Sequence, residues 1–301
     1  MSSIWFSVHS RPVATSFLNA TGSVINILSM YLPTLAINTD SITPYEEPQY
    51  KQRLADLYLY YAIIASLLGG LCVLLYRETP ARPVSRVSTL QRLSLSASLT
   101  YLRTHISLLF PILAGALTAA VTVSYEVIVE AAFRKYGSST LSIRDYTLLS
   151  APFILGLSLA VSYCAGRWGF FRGLLIAGNI INLICLLVLL WIYEEAGTIL
   201  FGSTFILTTA VLASQSSVGI EYLSELCFPV PEPFILSVLL FAVKISCLAI
   251  LQVSSSLVQG DQTSTLLVVF IVLLLLSTLF FVLSKGDLNR RNLDKSSILC
   301  D

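Results

Sequence analysis

Eight long apolar stretches fill most of the chain, and they decide its solvent before any motif is read. Residues 264–283, STLLVVFIVLLLLSTLFFVL, carry neither a charge nor a proline. A helix needs about 20 predominantly apolar residues to cross hydrocarbon. Only helices and closed barrels satisfy every backbone N–H and C=O without water. The stretches lack the strict alternation of barrel strands, so helices are expected throughout. Composition agrees: 55% of residues are hydrophobic and 12% are charged, against about 25% charged in soluble domains. The expected fold class is all-α, a polytopic membrane helical bundle of about eight transmembrane helices.

The expected spans are 14–36, 57–76, 106–131, 147–165, 170–193, 198–220, 233–257 and 265–284. Two connectors are long, 38–56 and 77–104. Cytoplasmic loops of membrane proteins are enriched in Lys and Arg. With the N-terminus inside, twelve basic residues fall on the cytoplasmic side and five outside, while Lys244 lies within a span. The count predicts both termini in the cytoplasm, with the chain in the plasma membrane or an internal membrane. In the longer connector, RETPARPVSR reads as a proline-broken linker. VSTLQRLSLSASLTYLR reads as either an interfacial helix or a solvated loop. The expected units are 1–76 with two spans, the linker 77–104, a six-span unit 105–284 and a tail 285–301.

Several functions are excluded. A net charge of +1 with no basic face argues against a nucleic-acid partner. The six cysteines lie mostly within or beside apolar stretches, without metal spacing, and read as small hydrophobes of helix packing. His9 and His105 stand near segment ends, far apart in sequence. No paired-aspartate, H-E-x-x-H or Ser/His arrangement occurs within the spans. An enzyme is not expected, and no cofactor or metal is implied. The opening MSSIWFSVHSRPVATSF lacks the basic-then-apolar order of a secretory signal.

The remaining information lies in polar residues within apolar surroundings. Lys244 falls near the middle of its span, where a lysine costs about 2.5–3.5 kcal/mol even on the translocon scale. It must face a cavity or a partner, as a substrate-binding group or as a structural lysine that snorkels or pairs. Glu126 and Glu130 share one face of the third span. Glu126, a turn deeper, reads as a coupling carboxylate or a counter-charge for Lys244, and Glu130 as a solvated residue at the outer mouth. Tyr125 is either a cavity wall or a packing residue. In the first span Asn19, Ser23 and Asn26 recur at helical spacing, giving a polar face toward a neighbour or cavity. Asn19-Ala20-Thr21 fits a glycosylation sequon but falls within a span. Glu221, Glu225 and Glu232 form an acidic patch at a span end. It reads either as a gate closing on Arg167 or Arg172, or as a solvated turn.

Three segments carry a family likeness. Trp5 and Phe6 precede Arg11, then Ala14, Thr15 and Ser16, then a polar-dotted helix ending in Leu32 and Pro33. Residues 219–233, GIEYLSELCFPVPEP, hold Glu221, Glu225, Phe228, Pro229 and Glu232. CAGRWGFFRGLL joins two spans through a basic loop. These resemble the fifth-span entry, the turn between spans ten and eleven, and the generic loop between spans eight and nine of one family. It is the feline leukaemia virus subgroup C receptor-related family of major facilitator carriers. Phe228 stands where that family has Tyr in its Tyr-Pro-x-x-Glu turn.

The resemblance implies a partial major facilitator fold, with these eight spans as the fifth to twelfth and the first four absent. Residues 1–76 would be the last two spans of the N-terminal bundle, and 105–284 the C-terminal six-helix bundle; carriers of this kind pair two such halves. It implies a solute carrier moving a small organic solute, such as choline, ethanolamine or haem, by alternating access. Lys244 stands at the position of a glutamine in the family's eleventh span, and Gly22-Ser23 replace an Asn-Gln pair. A fixed ammonium repels a quaternary amine and attracts a carboxylate or phosphate, so an anionic solute is the other expectation. The candidate substrate-binding residues are Lys244, Glu126, Tyr125, Ser23 and Asn26, and the candidate gating residues Glu221, Glu225, Glu232, Arg167 and Arg172. The alternative function is a truncated, non-transporting membrane protein that associates with or regulates a full-length relative or a second copy.

Overall fold

Apolar side chains that bind no water leave the backbone only itself to bond, and the described residues fold into helices with no strand. The structure is a computed structural model and describes residues 6–7, 9–37, 47–75, 92–133, 143–192, 199–260, 262–284, 288 and 292. Nine α-helices fall among these residues. They are α1 (Arg11–Ile37), α2 (Glu47–Leu75), α3 (Leu95–Thr104), α4 (Leu109–Phe133), α5 (Ile143–Trp168), α6 (Phe171–Trp191), α7 (Ile199–Leu226), α8 (Glu232–Gln259) and α9 (Thr263–Leu283). A 3-10 turn at Ile106–Leu108 leads from α3 into α4.

Seven of them, α2 and α4 to α9, are long and apolar enough to cross a bilayer. The chain is an integral multi-pass membrane protein. The eighth expected span is α1, and it differs. Its 27 residues reach about 40 Å at 1.5 Å per residue, ample for crossing. Asn19, Thr21, Ser23, Asn26 and Ser29 dilute its apolar surface over the part whose side chains are described. Helix ends also exceed the apolar windows. The second span expected at 57 begins at Glu47, and the span expected to end at 220 runs to Leu226. Hydropathy reads where lipid begins, whereas a helix continues as long as its backbone bonds are made.

The described helices pack in a fixed order of neighbours. Helix α7 lies against α5, α6 and α4; α4 also holds α8 and α9, and α9 returns to α6. Helix α1 packs on α5 and α7, while α2 packs appreciably on α1 alone. One apolar core joins Tyr125, Leu186, Leu189, Phe201, Phe205 and Phe270. Another joins Leu108, Phe171, Leu175, Leu223, Leu239 and Phe281. A third, smaller cluster sets Ala20 and Ile27 of α1 against Ala151, Ile154, Ala210 and Ala213. Small residues let helix backbones approach closely, which matters where lipid offers no hydrophobic drive.

The second half of the long connector is docked. Ser94 caps α3 by accepting a hydrogen bond from the Ala97 N–H at 3.4 Å. The Leu93 N–H reaches the Pro229 carbonyl at 3.5 Å, and the Arg92 guanidinium lies 4.7 Å from the Phe228 ring centre. Of the two readings of this segment, the helix is present, from Leu95 to Thr104, and it packs Tyr101 and Leu102 against the second core. Residues 76–91, with the proline-broken part of the linker, lie outside the described residues.

Candidate functional site

Polar side chains on α1 fix how that helix meets the bundle. Asn19 Nδ2 donates to Ser217 Oγ at 3.1 Å, and the Thr15 hydroxyl donates to Glu221 Oε1. The Ser16 and Ser162 hydroxyls are hydrogen-bonded to each other between α1 and α5. From Asn19 to Thr15 is one turn back along α1, and from Ser217 to Glu221 is one turn forward along α7. The two helices therefore run antiparallel in register. The next step of that register sets Arg11 level with Glu225. Both are almost wholly buried, at 0% and 3% exposure, and Arg11 Nε also donates to the Phe6 carbonyl at 3.1 Å. At the same end His9 Nδ1 lies 3.0 Å from the Gly166 carbonyl. A Cβ at Gly166 would stand 2.3 Å from the His9 carbonyl oxygen, so only glycine permits this approach.

A second polar assembly ties α4, α6, α7 and α9 together. Gln215 Nε2 donates to Asn179 Oδ1 at 2.8 Å and to the Leu175 carbonyl at 2.9 Å. Its Oε1 accepts from Asn182 Nδ2 at 2.8 Å. Asn179 Nδ2 donates to Ser277 Oγ at 3.2 Å, and Ser277 donates to the Ala114 carbonyl at 2.9 Å. The Thr118 and Ser277 hydroxyl oxygens are 2.7 Å apart. Gln215 and Asn179 are thus held at both ends, as buried polar groups in lipid require, whereas Asn182 Oδ1 is buried without a hydrogen-bond partner among the described residues. Gly178 makes room for the hub: a Cβ there would come within 2.7 Å of Gln215 Nε2.

Between these two assemblies lies a cavity of about 410 Å³. Helix α1 gives it Asn19, Ser23 and Asn26; α4 gives Thr118 and Thr122. Helix α7 supplies Gln215 and Ser216, and α8 supplies Leu240, Val243 and Lys244. The polar stripe of α1, which set that helix apart in sequence, faces this space. Lys244, twelve residues into α8, sits about 18 Å along its axis at 1.5 Å per residue. Its side chain is exposed to the cavity and forms no hydrogen bond or ion pair among the described residues. It is also the one charged side chain among the described lining residues.

No protein-family model matches the chain, and no curated protein matches it. The site therefore rests on its own geometry.

Of the residues expected to bind substrate, Lys244, Ser23 and Asn26 come together around the cavity. Tyr125 does not join them. It is fully buried, with its ring 5.6 Å from Phe205 and 6.2 Å from Phe270. Its two readings divide in favour of packing, because the aromatic core of the bundle claims that face of α4. The Glu126 and Glu130 side chains lie outside the described residues.

The expected gate is rearranged. Glu221 and Glu225 were placed on a span-end turn by sequence, yet they lie inside α7 and are 2% and 3% exposed. The interleaved Tyr222, Leu223 and Leu226 continue the buried face of the helix and carry the carboxylates inward with it. Glu232 is half-buried in the first turn of α8, where a carboxylate suits the positive helix end. Arg172 Nε donates to the Phe281 carbonyl at 2.9 Å and its Nη2 to the Val282 carbonyl. It thereby caps the end of α9, a common use of a cation at a helix C-terminus. Arg167 is exposed, beside His9, Tyr163 and Trp168 along an open groove. The basic residue that the fold brings level with the carboxylates is Arg11. Sequence reading held Arg11 only as part of a motif, although an arginine heading a polar span was a usable signal. Gln215, Asn179 and Asn182 were not singled out; three amides in two adjacent spans were the available signal.

Proposed function

We propose that the chain is part of a solute carrier of major facilitator type, working by alternating access around the α1–α4–α7–α8 cavity. The observation that carries this reading is the cavity itself. Polar side chains from four helices converge there on a space lined by one cation, Lys244, which has no partner among the described residues and lies well along its membrane-spanning helix. Carriers of this architecture place their sites near the bilayer midplane between two bundles. In this reading residues 105–284 form the C-terminal bundle and α1 and α2 the last two spans of the other. Both termini face the cytoplasm, as the basic-residue count predicts. The likeness to the feline leukaemia virus subgroup C receptor-related carriers points to small organic solutes, with choline, ethanolamine and haem as the first to try.

The gate in this reading lies at the Arg11 end, where α1 meets Glu221 and Glu225 of α7. Opening that end requires α1 to part from α5 and α7, so these contacts would be made and broken once per cycle. Uptake of labelled choline, ethanolamine, haem, benzoate and glycerol 3-phosphate into vesicles containing the purified chain tests the proposal. Uptake above empty vesicles that Asn26→Leu abolishes supports a carrier. Absence of uptake for every solute, with the protein folded, would sink it.

A second reading has its own support. No residue of the apolar window of α2 is buried among the described residues, and α2 packs appreciably on α1 alone. A chain of this shape suits association with a full-length relative or a second copy, without transport of its own. Co-expression with such a relative separates the two: altered transport by the relative, with none by this chain alone, favours association.

A further inference from the structure

We infer that the cavity takes a small organic anion, a carboxylate or a phosphate monoester, with its oxyanion against the Lys244 ammonium. The inference rests on the reading of the cavity as a solute site, and it assigns that solute its charge.

Three observations carry it. The first is the isolation of the cation. Lys244 has no hydrogen-bond or ion-pair partner among the described residues, and it is the one charge on the described cavity wall. About 18 Å into the 28-residue α8, its flexible four-carbon stem falls short of either end of that helix. Intramembrane ionisable groups face cavities and pair, and here the ligand supplies the missing partner.

The second is the set of uncommitted donors near it. The Asn19 amide is taken by Ser217, the Gln215 amide by Asn179 and Leu175, and the Thr122 hydroxyl by the Thr118 carbonyl. That leaves Ser23, Asn26 and Ser216, whose side chains make no hydrogen bond among the described residues. Two hydroxyls and an amide lining the same cavity as an ammonium form a donor-rich pocket suited to an oxyanion.

The third concerns what a cation would need. Quaternary amines are held by carboxylates or by cages of aromatic rings. No carboxylate lines the described wall, and Phe281 is its one aromatic residue. Leu239, Leu240 and Val243 instead offer an apolar side for the body of an amphiphilic anion.

The test is direct binding to the full chain in phosphatidylcholine nanodiscs, with benzoate, glycerol 3-phosphate and choline as probes. The expected result is saturable binding of benzoate or glycerol 3-phosphate, with no binding of choline. Lys244→Gln should weaken the anion by about tenfold or more and admit choline, whereas Lys244→Arg should keep the anion. Removing a charge from mid-span does not threaten insertion, and the unliganded unfolding temperature checks this. Choline binding to the native chain as tightly as the anions would overturn the inference. So would anion affinity unchanged in Lys244→Gln, or no binding of any probe. Repeating the titration with phosphatidylglycerol added identifies the source of the anion. Competition marks a lipid headgroup as the occupant, and undiminished binding marks a free solute. Anion binding without uptake would remove the carrier proposal and leave the anion site standing. Choline uptake indifferent to Lys244 would do the reverse.

Discussion

Helices α1 and α2 are neighbours in sequence and nearly equal in length, yet the bundle treats them oppositely. Helix α1 carries the amides and hydroxyls Thr15, Ser16, Asn19, Ser23 and Asn26 within its apolar stretch and is wedged between α5 and α7, with three side-chain hydrogen bonds across its seams. Helix α2 is apolar enough to span, and none of its window Ala55–Leu74 is buried, against 67% for the window of α7. Its Tyr61 hydroxyl reaches the Ser29 carbonyl of α1 at 3.4 Å. In water this contrast would be inverted. In hydrocarbon, lipid tails are as apolar as leucine, so apolar surface gives a helix no reason to leave them. Small residues that let backbones touch, and polar groups that need partners, decide which helices pack. Helix α1 has both on one side. The same polarity that docks it also furnishes the cavity.

Arg11→Ala should break the contrast most. Arg11 is buried level with Glu225, and removing one member of a buried charge pair costs about 3–5 kcal/mol. Thermal unfolding in detergent should show that loss, and limited proteolysis should show earlier cleavage on the N-terminal side of α2. Gln215→Ala, at the hub of the second assembly, removes three hydrogen bonds. It should cost about 2 kcal/mol by the usual worth of such bonds, with α1 still protected. Leu67→Ala on bare α2 should change stability by less than about 0.5 kcal/mol. A cost comparable to Gln215→Ala would mean that another element covers α2. The smallest effect concerns Cys227, in the turn after α7, whose thiol burial pushes up to about 12. A raised pKa keeps it protonated, so maleimide labelling of Cys227 should stay negligible at neutral pH and rise only toward strongly alkaline pH. Ready labelling at neutral pH would show that the docked α3 and the α7–α8 turn open away from it.

Much of the fold was legible because the bilayer demands it. Charge-free runs such as 264–283 had no alternative to a spanning helix, and seven of the eight expected spans recur as apolar helices. Helix ends were not legible: 47–56 is polar yet helical, since hydropathy says nothing about backbone bonding outside lipid. At the site, Lys244, Ser23 and Asn26 were legible through the cost of placing each in hydrocarbon. Arg172, expected to meet the carboxylates, instead bonds the carbonyls of a helix end. No sequence pattern announces such partners, because they depend on where α9 stops. The pairing of α1 with α7 needed the register of Asn19 and Thr15, which only three dimensions supply.

Cysteine accessibility in the reconstituted chain reads whether water reaches the α1–α4–α7–α8 cavity. In a background free of the six native cysteines, Ser23→Cys, Asn26→Cys and Lys244→Cys would each be exposed to a charged, water-soluble thiosulfonate reagent. Leu67→Cys on α2 serves as the lipid-facing reference. The three cavity positions should react and Leu67→Cys should not. Cavity positions as inert as Leu67→Cys would contradict this, leaving a polar helix packed in a dry bundle with no site to fill.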